Sequence, residues 1–164
     1  MADLDLITRN VLARSGALVL YARQWLDAAA AEDVVQEALT ALLALRAAPD
    51  DPVAWMCRAV RNAAIDSARS SSRRRRREEV VAAERREMFE SRPDSLIDAR
   101  TAAEVLERLP ADLREIVVLR IWAGMTLSQI AAICGVGITT VHDRYESALR
   151  QMRAALEKPC NKNP

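Results

Sequence analysis

The sequence predicts an all-α protein made of two small helical domains joined by a flexible charged linker, the second containing a helix-turn-helix. Three observations carry this. Apolar residues make up 51% of the 164 residues, with only four Gly and six Pro, and they recur at three- and four-residue spacing. No long run alternates β-branched or aromatic residues with polar ones, so little or no sheet is expected. The stretch 126–146, TLSQIAAICGVGITTVHDRYE, has the spacing of a helix-turn-helix. There Ala131 is small where two helices cross, and Gly135 supplies the positive φ that ends the first helix. Val141 plugs the second helix into the shared core, with Ile130 and Val136 filling between. Thr126 and Gln129 form a capping box. In such a motif the N-terminal residues of the second helix enter the DNA major groove; here these include Thr139, Thr140, His142, Asp143 and Glu146.

Composition narrows the function further. No apolar stretch approaches the roughly 20 residues of a membrane span, and the acidic start MADLDLITRN is not a secretory leader. Cys57, Cys134 and Cys160 are scattered, without CxxC spacing or a paired histidine, which argues for free thiols in a cytoplasmic protein. With a single histidine, His142, no histidine metal cluster or triad can be assembled, and no cofactor is expected. Net charge is +1. Residues 1–72 carry seven Arg against nine acids, and 99–158 carry eight Lys and Arg against seven acids. DNA affinity rests mainly on neutralised phosphates, so the helix-turn-helix half is expected to grip DNA weakly without a partner.

The elements follow in order. Residues 3–27 form a long amphipathic helix on Leu4, Ile7, Val11, Leu18, Ala22 and Trp25, with Gly16 a mild interruption. Residues 30–46 form a second helix burying Val34, Val35, Ala38, Leu39, Leu42 and Leu45. Its acids Glu32, Asp33 and Glu37, with Gln36, suit either the helix dipole or docking on a basic partner. Asp51 caps a third helix with Pro52 in its first turn, running over 53–70. Arg58, Arg61, Asn62, Asp66 and Arg69 lie off its core face, suited to phosphates and a base edge or simply to solvent. Three serines and arginines 73–77 then shift the composition. Residues 71–98 read as a linker with a transient helix near 79–89. Helical pattern resumes at 99: a short helix stopped by Pro110, another over 111–123 closed by Gly124, and the two helices of the motif. The last of these carries a stripe of Val141, Tyr145, Ala148, Leu149, Met152 and Leu156. Domain limits of 1–70 and 99–158 follow, with a frayed tail at 159–164.

This ensemble resembles the extracytoplasmic-function group of bacterial RNA polymerase sigma factors. AEDVVQEALTALL at 31–43 is similar to the polymerase-docking segment of that group. PVAWMCRAVRNAAIDSARSSSRRRR at 52–76 is similar to its promoter −10 segment. LPADLREIVVLRIWAGMTLSQIAAICGVGITTVHDRYESALRQMRAAL at 109–156 is similar to its −35 domain. The resemblance implies a non-enzymatic specificity subunit that binds core RNA polymerase and recognises and melts promoter DNA. It implies that Glu32, Asp33, Gln36 and Glu37 dock on the polymerase, whose β′ and β subunits are the expected partners. It places Trp55, Arg58, Arg61, Asn62, Asp66 and Arg69 at the −10 element and Thr139, Thr140, His142, Asp143 and Arg144 at the −35 element. Acids at Asp143 and Glu146 depart from the usual small or basic residues there. Without an evident extra sensory domain, regulation is expected through a separate anti-sigma factor. Two other readings use the same features: a sigma mimic that titrates an anti-sigma factor, and a stand-alone helix-turn-helix regulator. The linker leads to one mechanical expectation, that the free chain closes its modules on each other and opens on polymerase.

Overall fold

The computed structural model describes residues 9–78 and 97–157. Leu4, Ile7, the transient helix expected at 79–89, and the tail with Cys160 lie outside the described residues. No strand occurs among the described residues, and the architecture is helical throughout.

The first module opens with a helical turn at 9–12, a turn at 13–14, and α1, Ser15–Ala22. The single helix expected over 3–27 is therefore interrupted. The break falls at Arg14, which leaves helical backbone (φ −108°, ψ 6°), while Gly16 sits inside α1. At the other end, Asp27 adopts extended backbone, and its carboxylate accepts from the Ala30 N–H at 2.9 Å. A residue committed to an N-cap cannot continue the preceding helix. Helix α2, Ala28–Leu43, follows, burying Ala31, Val34, Val35, Ala38 and Leu42. Leu45, expected on the core side, falls past its end and is exposed.

Asp51 caps α3, Pro52–Glu78, its carboxylate accepting from the Ala54 N–H at 2.9 Å. Pro52 costs nothing there, because its missing N–H would have no helical partner. The buried row Val53, Met56, Cys57, Val60 and Ala64 keeps helical spacing and faces α1 and α2. The backbone stays helical through the serines and arginines, eight residues past the expected end at 70. Arginine is a good helix former, and no Gly or Pro interrupts the run.

The second module holds α4, Ile97–Arg108; α5, Ala111–Ile121; α6, Leu127–Cys134; and α7, Ile138–Glu157. Side chains stitch the connections. Arg114 Nη1 donates to the Glu107 carbonyl at 2.8 Å, and Arg120 Nη1 donates to the Met125 carbonyl at 2.8 Å. The capping box forms: the Gln129 N–H donates to Thr126 Oγ1 at 3.2 Å, and the Thr126 N–H donates to Gln129 Oε1 at 2.7 Å. Gly135 closes α6 at φ +70°, its N–H and that of Val136 both donating to the Ala131 carbonyl. Ile130 and Val141 are fully buried. Along α7 Val141 and Ala148 are buried and Tyr145 and Met152 are half-buried against the core, whereas Leu149 and Leu156 are exposed. They lie about 80–100° round the helix from Ala148, at 100° per residue, and so fall outside the core stripe.

The two modules pack together. Helix α1 lies on α5, α3 lies on α6, and the buried apolar residues of both modules form one contiguous cluster. The reason sits in α5. Five consecutive residues there, Glu115, Ile116, Val117, Val118 and Leu119, are buried. Five residues at 100° intervals point to every side of the helix, so this stretch needs cover all round, and α1 of the first module supplies part of it beside α6 and α7.

Candidate nucleic-acid interface

Three surfaces are built from these helices. On α2, Glu32, Asp33, Gln36 and Glu37 are all exposed, while Ala31, Val34, Val35 and Ala38 between them are buried. The helical period thus sorts one short segment into an apolar inner face and an acidic outer one. A concentrated negative face of this kind attracts a basic partner and speeds its encounter.

On α3, Arg58, Asn62, Asp66 and Arg69 are exposed and succeed one another at intervals of four, four and three residues, so they share one face. Asp66 and Arg69 form a loose ion pair of 3.9 Å in which both side chains are largely in water; such pairs contribute little to stability. They also line an open cleft with Ser72 and Arg73. Trp55 is half-buried and packs on the core. Arg61 departs from the stripe. It is turned toward the second module, where its Nε donates to Glu115 Oε1 at 2.6 Å.

On α7, Thr139, Thr140, His142 and Asp143 are exposed at the N-terminal end. His142 lies between Asp143, 3.8 Å from Nδ1, and Glu146, 3.6 Å from Nε2. Arg144 sits at the edge of the buried row, half-buried, with its Nε 3.4 Å from Asp112 on α5. Hydroxyls and an imidazole can meet phosphates and base edges, and a carboxylate can accept from a cytosine amino group. The outward face is nevertheless acidic, so attraction to phosphate must come from elsewhere.

Sequence reasoning missed the groups at the seam between modules. Glu115 is buried and accepts on Oε1 from Tyr21 Oη at 2.6 Å as well as from Arg61. Burial, reinforced by the Glu115 charge, pushes the Tyr21 hydroxyl far above its ordinary range. Burial alone would lower the Arg61 pKa, but the hydrogen bond and charge of Glu115 outweigh it and raise it. The Cys134 thiol, pushed up to about 12 by burial and then by Glu115, borders the same cluster. A signal was present: an acid directly abutting the apolar run 116–119. Among the described residues, no grouping of His, Cys, Asp and Glu suits a metal ion, and no helix is long and apolar enough to cross a membrane.

Known proteins share this arrangement. Residues 13–74 match sigma-70 region 2, and residues 105–154 match sigma-70 region 4. The extracytoplasmic-function RNA polymerase sigma factor SigL of Mycobacterium tuberculosis is 32% identical over 144 residues, spanning 80% of this chain and 77% of its own. The chain is an extracytoplasmic-function sigma factor. It is thus a promoter-recognition subunit of RNA polymerase, and the region 2 and region 4 matches fall on the two modules. The sigma factor RpoE of Bartonella quintana, solved with the anti-sigma factor NepR, superimposes with a TM-score of 0.76 at 24% identity, covering 97% of this chain and 99% of that one. That likeness is one of fold. The region 2 match takes in both the acidic face of α2 and the α3 stripe, and the region 4 match takes in the helix-turn-helix and Glu115.

Proposed function

We propose that this sigma factor docks on core RNA polymerase through Glu32, Asp33, Gln36 and Glu37. Arg58, Asn62, Asp66 and Arg69, joined by Trp55 and Arg61, engage the −10 element, and Thr139, Thr140, His142, Asp143 and Arg144 engage the −35 element. The observation that carries this reading is the sorting of α2 and α3 into separate solvent faces, one acidic and one rich in Arg and Asn, on adjacent helices of one module. The acidic face meets a basic surface of the enzyme. The Arg residues hold a single strand by its phosphates, and Asn62 takes a base edge once that base has left the stack. The protein works in the cytoplasm beside the polymerase, without chemistry of its own, and a separate anti-sigma factor restrains it.

Transcription with core polymerase and this protein on a genomic promoter library tests the reading. New, defined start sites, absent without the protein, are the expected outcome. The acidic pair around His142 favours a second reading, a mimic that occupies an anti-sigma factor. Polymerase binding without any new start site would favour it. No polymerase binding at all would leave the stand-alone regulator.

A further inference from the structure

We propose that Glu115 is an autoinhibitory latch, holding the sigma factor closed by occupying Arg61, a residue otherwise directed to the −10 strand; this rests on the promoter assignment above. Glu115 is the one buried charged residue among the described residues. It belongs to α5 of the second module, yet both donors on its Oε1 come from the first: Tyr21 on α1 and Arg61 on α3, each at 2.6 Å. A buried carboxylate is costly without donors. The apolar contact between modules is therefore tolerated only in the one register that delivers Tyr21 and Arg61 to Glu115.

The closed form cannot be the promoter-bound form. The −10 and −35 elements are about 25 base pairs apart, roughly 85 Å at 3.4 Å per step. Modules joined by 2.6 Å hydrogen bonds cannot read both at once. Opening separates Glu115 from Arg61, so the arginine loses its carboxylate as it becomes free for phosphate, a like-for-like exchange of oxyanion partners. Arg58 and Arg69 remain exposed in the closed form, so Arg61 is the −10 cation that the latch controls. Polymerase binding must then work against the closed population, which weakens its apparent affinity by the fraction of open molecules.

The test uses the full chain with Glu115→Gln and, as a milder change that keeps the buried charge pair, Tyr21→Phe. Small-angle scattering reads compaction and titration with core polymerase reads affinity, after circular dichroism has checked helix content. Wild type is expected within a few ångströms of the ~15 Å radius of gyration of a compact chain this long. Glu115→Gln is expected to be clearly larger and to bind core about tenfold more tightly, with Tyr21→Phe between them. An extended wild type, variants as compact as wild type, or opened variants with unchanged core affinity would each overturn the latch. Failure of the polymerase assignment looks different: no form binds core, which ends the autoinhibitory role, while scattering still reports whether Glu115 holds the modules together.

Discussion

Asp51 and Gln129 join two helix starts across the modules. One carboxylate oxygen of Asp51 caps α3 at Ala54, and the other accepts from Gln129 Nε2. Gln129 Oε1 meanwhile closes the α6 capping box on Thr126. Two side chains thus serve local caps and a long-range contact at once. Asp51→Ala is expected to cost about 1 kcal/mol through the lost cap alone, and more through Gln129. Thermal unfolding checks this: a fall of roughly 2–4 °C per kcal/mol is expected for a chain of this size. Asp51→Asn keeps one acceptor oxygen for the Ala54 cap but turns an NH2 donor toward Gln129 Nε2, so it should recover the cap and still lose the contact with Gln129.

The α6–α7 turn depends on the backbone of Gly135. At φ +70° no neighbouring atom lies within 4 Å of an added Cβ, so the cost of Gly135→Ala is conformational and not steric. About 1 kcal/mol of stability should be lost. A denaturation midpoint equal to wild type would show that the turn adapts.

Among the described residues the side chains of the α2 acidic face make no cap or ion pair, and their reversal should spare folding. Asp33→Arg with Glu37→Arg is expected to abolish co-purification with core polymerase while shifting stability by less than about 0.5 kcal/mol. Undiminished co-purification would remove these residues from the docking surface.

On α3, Arg58 and Asn62 should separate charge from recognition. Arg58→Ala is expected to weaken promoter complexes on all sequences and to reduce the salt slope by about one. Asn62→Ala should leave that slope intact and reduce permanganate reactivity of unpaired thymines at the −10 element. Equal loss of both signals in both variants would contradict the division.

Burial pushes the thiols of Cys57 and Cys134 up to about 12. The folded chain therefore favours the neutral thiols, while unfolded thiols ionise near about 8.5. Their stabilising contribution is complete below that pH and drains away as pH climbs toward about 12. Melting temperature under reducing conditions should be insensitive to these groups from pH 6 to 8 and fall above pH 9. A Cys57→Ala, Cys134→Ala protein should show a shallower fall. Identical alkaline slopes would refute the shift.

Much of this protein was legible in its chain because the signals are local. Asp51 at α3, Thr126 with Gln129 at α6, Gly135 at the turn and the acids of α2 each act within four residues. The composition and spacing of neighbours therefore determined the caps, the all-helical class and the two modules. Other features depend on competition or on distance. Asp27 ends one helix by starting another, and arginines chosen for charge also sustain α3 to Glu78. Tertiary structure alone decided the seam. Glu115 meets Tyr21 across 94 residues and Arg61 across 54, and Gln129 meets Asp51 across 78. No periodicity reports such pairs, because a buried carboxylate is satisfied by whichever donors the packing of α1 and α3 against α5 and α6 brings to it.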